Sequence, residues 1–89
     1  MITESEKNII IKYAKKYNVA SIFLFGSSIK KNAQSNDIDM AVKGISPELF
    51  FKFYGELYRD LPKPVDLVDL SKRSSFNDYI EETGAKIYG

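Results

Sequence analysis

The sequence predicts an α+β fold, a small mixed β-sheet with helices packed on it, and three observations lead there. Segments of helical and strand period alternate in the order α-β-β-α-β-α-β. The second and third strand segments are joined through a helix, so as neighbours they must run parallel. The first two are separated only by a short polar stretch, which permits an antiparallel hairpin. Eighty-nine residues suffice for one hydrophobic core, and a single domain over residues 1–89 is expected.

Each element has a local reason. Thr3-Glu4-Ser5-Glu6 reads as a capping box, and Ile9, Ile10, Tyr13, Ala14 and Tyr17 recur at helical spacing, predicting a helix over residues 4–17 that Asn18 ends. Residues 19–25 form an apolar, β-branched and aromatic run stopping at Gly26-Ser27-Ser28, the pattern of a strand buried on both faces. After a polar loop, Asp37-Ile38-Asp39-Met40-Ala41-Val42 alternates strictly, as a strand with one apolar and one carboxylate face does. Ser46-Pro47-Glu48 is a helix start, and that helix is expected to run to Asp60 before Pro62 and Pro64. Val65 to Leu70 reads as a third strand; Ser74 or Ser75 caps a third helix expected to bury Phe76, Tyr79 and Ile80 and to end at Gly84. Ala85 to Tyr88 is a short final strand or a tail.

Composition excludes much chemistry. With no Cys and no His there are no disulfides, thiolate nucleophiles, Cys/His zinc sites or Ser-His triads. Thirteen basic against twelve acidic residues, net +1, argue against direct nucleic-acid binding or a membrane surface. The polar N-terminal residues lack the pattern of a leader, no run approaches a bilayer span, and a cytoplasmic location is expected.

What remains is carboxylate and hydroxyl chemistry. Asp37 and Asp39, two apart on a strand, project from one face with Cα atoms about 6.5–7 Å apart. At an effective dielectric near 20 their repulsion is about 2–3 kcal/mol, which a divalent cation converts to attraction. Carboxylates without His or Cys favour magnesium or manganese over zinc. Asp66, on the third strand, can join the same patch, and three acids on two strands suit a two-metal site. Asp69 is its rival, but its parity is opposite and it lies near the strand exit. Gly26 and Ser27 at the end of the first strand can offer backbone N–H groups and a hydroxyl to phosphates, with Lys30 and Lys31 following.

These residues resemble the minimal nucleotidyltransferases of the DNA polymerase beta superfamily. The likeness runs through Leu24-Phe25-Gly26-Ser27, Ser35-Asn36-Asp37-Ile38-Asp39-Met40, Pro64-Val65-Asp66-Leu67-Val68 and Ile80-Glu81-Glu82 to Gly84 and Ile87-Tyr88. The resemblance implies a strand order 1-2-3, with Asp37, Asp39 and Asp66 as magnesium ligands for two ions, and Asp66 as a possible base. It also implies Gly26, Ser27 and Lys30 as contacts for the nucleotide. Where the family often has Arg and Gly after the Gly-Ser pair, this chain has Ser28, Ile29, Lys30 and Lys31; lysine supplies a point charge but not a bidentate fork.

The activity so implied is transfer of AMP from Mg-ATP to an acceptor. Members of the family are commonly antitoxins that act on a tyrosine of a HEPN-domain toxin, and a chain this short is expected to borrow its acceptor site from that partner. Two other roles share the fold: a module that masks its partner without catalysis, and an adenylyltransferase for a small molecule. On the second helix, apolar residues from Leu49 to Leu61 cover an arc of about 200°, wider than a core-facing stripe, so Phe51, Tyr54 or Tyr58 is expected at an edge suited to a protein interface.

Overall fold

A computed structural model describes residues 2–29 and 36–89 of the chain. The elements run α1 (Glu4–Lys16), β1 (Ser21–Leu24), a single 3₁₀ turn (Gly26–Ile29), β2 (Ile38–Lys43), α2 (Pro47–Asp60), β3 (Val65–Asp69), α3 (Ser75–Thr83) and β4 (Ala85–Tyr88). The α+β class follows the predicted order of elements. The strands form one sheet in the order β3-β2-β1-β4. β1 runs antiparallel to β2 and to β4, whereas β2 and β3 are parallel, as the intervening α2 requires. The expected sequence of neighbours 1-2-3 is present, and the final segment adds a strand on the other side of β1.

The helix ends follow local chemistry. The Thr3 N–H donates to Glu6 Oε1 at 2.8 Å and the Glu6 N–H to Thr3 Oγ1 at 3.1 Å, closing the capping box. Asn18 takes φ +54°, the left-handed conformation that asparagine tolerates just beyond a helix. Pro47 opens α2, and Ser74 caps α3 by accepting the Asn77 N–H at 3.0 Å.

Two layers cover the sheet. On one face α1 and α2 close the main core, in which Ile10, Ile22, Leu24, Met40, Phe53 and Leu57 are buried. The two helices are also joined at their surface: Lys16 Nζ and the Tyr17 hydroxyl both donate to Glu56, at 3.0 and 2.8 Å, and Tyr13 donates to Asp60. On the other face the cover is slighter: Ile80 of α3 meets Phe23, Ala41 and Leu70. Here an expectation fails. Phe76 and Tyr79 are not buried with Ile80 but stay 55% and 62% exposed, because the face of α3 turned to the sheet carries Ile80 and Asn77, whose amide donates to the Asp69 carbonyl at 3.2 Å. On α2, Phe51 and Tyr58 are exposed as the wide apolar arc predicts, while Tyr54 turns inward and donates its hydroxyl to the Val65 carbonyl at 2.7 Å. Among the described residues no helix is long and apolar enough to cross a membrane.

Candidate functional site

The carboxylates lie on the more open face of the sheet. Alternation along β2 sends Ile38, Met40 and Val42 into the main core and leaves Asp39 on the α3 side with Ala41. Asp66 of β3 is the direct register partner of Asp39. In a parallel pair, residues in register point to the same face about 4.8 Å apart, so the two side chains stand side by side. Asp66 is exposed and Asp39 half-buried. Asp37, one step before β2, is exposed and close enough to act electrostatically on Asp39. Partial burial first, then the charges of Asp66 and Asp37, push the Asp39 carboxyl above the usual carboxylate range.

Asp69 has a different place. It is in register with Val42, and its Oδ1 accepts the Ser71 N–H at 2.9 Å, tying off the end of β3. The structure therefore brings Asp39 and Asp66 together and leaves Asp69 to a turn.

The glycine turn closes on the same spot. Gly26 has φ +60°, and a Cβ placed on it would lie 3.0 Å from Asp39 Oδ2. Both the conformation and the contact favour glycine at this position. Ser27 follows within the 3₁₀ turn. Ser28, read from the sequence only as a departure from the family pattern, has a clear part. Its buried hydroxyl accepts the Asp39 N–H at 2.9 Å, and the Phe25 N–H donates to the Asp39 carbonyl at 3.1 Å. The turn and the acidic strand are thus fastened to each other on both sides of Asp39. Because this bond spans eleven residues, nothing in the local pattern announces it. Lys30 and Lys31 lie outside the described residues.

Magnesium fits this donor set. Among the described residues no group of three acids is arranged to hold an ion by itself. An open pair of carboxylates is nonetheless how magnesium is ordinarily held, with substrate phosphates and water completing its shell. Like-charge crowding at Asp39, with Gly26 leaving room against its carboxylate, is consistent with a hard cation there.

A mixed sheet that sets carboxylates across adjacent parallel strands, beside a glycine turn, is the framework of a nucleotidyltransferase. The chain belongs to the polymerase beta nucleotidyltransferase family, whose pattern it matches over residues 8–89. Among solved structures it is similar to a chain of the toxin–antitoxin complex MntA–HepT, with 27% identity, a TM-score of 0.72 and coverage of 98% of this chain and 73% of that one. A toxin–antitoxin structure with AMP-PNP matches with 29% identity and a TM-score of 0.75, over 93% of this chain and 73% of that one. A complex of tri-AMPylated Shewanella oneidensis HEPN toxin with MNT antitoxin matches with 26% identity and a TM-score of 0.75, over 99% of this chain and 73% of the other. A comparison with curated protein sequences finds no match.

Proposed function

We propose that this chain is an antitoxin that transfers AMP from Mg-ATP to a tyrosine of a HEPN-domain toxin. The observation that carries the reading is the in-register pairing of Asp39 with Asp66 beside Gly26. The likeness to an antitoxin in complex with a tri-AMPylated toxin supports the acceptor, and the likeness to a complex with AMP-PNP supports the nucleotide.

Asp37, Asp39 and Asp66 would hold magnesium, as two ions, which when bound would neutralise charge on the triphosphate. The chain's own residues do the rest. Gly26 lets the backbone of the turn approach the phosphates closely, and Ser27 and Lys30 are the further phosphate contacts of this reading. Asp66, the more exposed of the paired acids, takes the proton of the acceptor hydroxyl. The tyrosine oxygen then bonds to the α-phosphorus as the bond from that phosphorus to the bridging oxygen breaks, and pyrophosphate departs. Ser28 keeps Asp39 and the turn in fixed relation, so positioning and electrostatics supply most of the acceleration.

The test mixes the purified chain, the toxin encoded beside it, magnesium and ATP labelled in the α-phosphate. Label on the toxin, lost in Asp39→Asn and in Asp66→Asn, is the expected result. Tight binding that neutralises the toxin without transferring label would overturn the catalytic reading.

A further inference from the structure

The outer face of α2 carries aromatic surface that the fold leaves uncovered. α2 buries Phe53 and Leu57 against the sheet, and at about 100° per residue the opposite face carries Glu48, Phe51, Gly55 and Tyr58. Phe51 is 79% exposed and Tyr58 54%. Neighbouring rings brace both. Phe50 meets Phe51 with centroids 5.4 Å apart, and Tyr54, whose hydroxyl is bonded to the Val65 carbonyl, meets Phe50 and Tyr58 at 6.1 and 6.4 Å. Rings fixed beforehand lose little freedom on association, and aromatic residues are the type that anchors protein interfaces.

Between the two exposed rings lies Gly55. Inside a helix, glycine is about 0.8–1 kcal/mol less favourable than alanine. A Cβ placed on Gly55 would meet nothing within 4 Å, so no contact within the chain calls for glycine there. The missing side chain leaves a notch between Phe51 and Tyr58 in which a second helix can settle closely.

Charge identifies that helix. Glu48 stands at the N-terminal end of the stripe, and Arg59, whose side chain is 66% exposed, lies near its C-terminal end. Arg59 uses Nε and Nη2 on Asp60 and Tyr13 and has Nη1 to offer outward. When α2 of one copy is laid antiparallel on α2 of another, about an axis near Gly55, Phe51 meets Tyr58 and Glu48 meets Arg59. The midpoints of these two pairings differ by a single residue, a rise of about 1.5 Å. A parallel arrangement would set each charge level with its own copy. We propose that the outer face of α2 pairs with the same face of a second copy of this chain, as an antiparallel two-fold dimer centred on Gly55. Because α2 covers the face of the sheet opposite Asp39, the acids of both copies stay open in the pair.

Sedimentation equilibrium of the purified chain alone, from low micromolar to a few hundred micromolar, tests this. The wild type should pass from monomer to dimer. Phe51→Ala and Tyr58→Ala should each weaken the dimer by about tenfold or more, with circular dichroism unchanged. Gly55→Ala separates interface from fold: it should raise the melting temperature of the dilute monomer and yet weaken the dimer. Glu48→Arg and Arg59→Glu should each weaken it, and the two together should restore it. A chain that stays monomeric throughout, or a dimer indifferent to Phe51→Ala and Gly55→Ala, would overturn the proposal, and failure of the double swap to restore the dimer would overturn its antiparallel register. Toxin binding lost in Phe51→Ala with self-association unchanged would assign the face to the toxin instead.

Discussion

Gly26 stands against Asp39 so closely that a methyl group added at its Cα would meet Asp39 Oδ2 at 3.0 Å. The turn and the acid are therefore one unit, and substitution at either is felt at both. Gly26→Ala would place an alanine at φ +60° and press on the carboxylate. We expect a loss of about 1–2 kcal/mol in urea unfolding, and a fall in AMP transfer that exceeds what the lost stability explains.

Asp39 and Asp66 make opposite demands on folding and on catalysis. A carboxyl whose folded-state pKa is raised gives stability that is fully present below its unfolded value of 3.8 and is lost as pH rises through the folded value. Asp39→Asn should therefore melt a few degrees above the wild type at neutral pH, roughly 2–5 °C for a domain of this size, with the gap closing in acid. Scanning calorimetry at two pH values checks it. The same variant should lose transfer activity by at least about 100-fold.

Asp66→Asn isolates the role assigned to the proton acceptor. Transfer should fall by about 10²–10⁴-fold, whereas Asp69→Asn, which alters only the turn at Ser71, should stay within a few-fold of the wild type. Equal losses in the two variants would reassign the base.

Ser28→Ala removes the acceptor of the Asp39 N–H. A partly buried donor left without a partner costs about 1–2 kcal/mol, measurable by chemical denaturation. The transfer rate should fall with ATP affinity little changed, because Asp39 shifts relative to the turn.

The α1–α2 seam predicts an acid-side effect of the other sign. Hydrogen bonds first from Arg59 and then from Tyr13 lower the Asp60 carboxyl from 3.8 to about 2. Its contribution is present above 3.8 and is lost as pH falls toward 2. Between those values the urea midpoint of the wild type should drop more steeply than that of Asp60→Asn.

The parts of this architecture that follow from local rules were legible in the chain. The capping box at Thr3, the Asn18 stop, Pro47 at the start of α2 and the period-two pattern around Asp39 each act over a few residues. Parity put Asp66 and Asp69 on opposite faces, since an odd number of steps along a strand reverses the face, while the preference for Asp66 as the third acid came mainly from the family resemblance. What depends on distant contacts was not legible. The Ser28 bond to Asp39 exists only when the turn folds back on β2. β4 read equally as strand or tail because its pairing lies with β1, far away in sequence. Phe76 and Tyr79 share the helical spacing of a buried stripe with Ile80, yet the residues of α3 that are buried are Ile80 and the polar Asn77.

The neighbouring acids come from strands that are strangers in the chain, brought abreast only after the whole of α2 has been threaded between them. A fragment that ends before β3 lacks Asp66 and with it the pair, so the acidic patch depends on the long-range pairing of β2 with β3 and not on either strand alone.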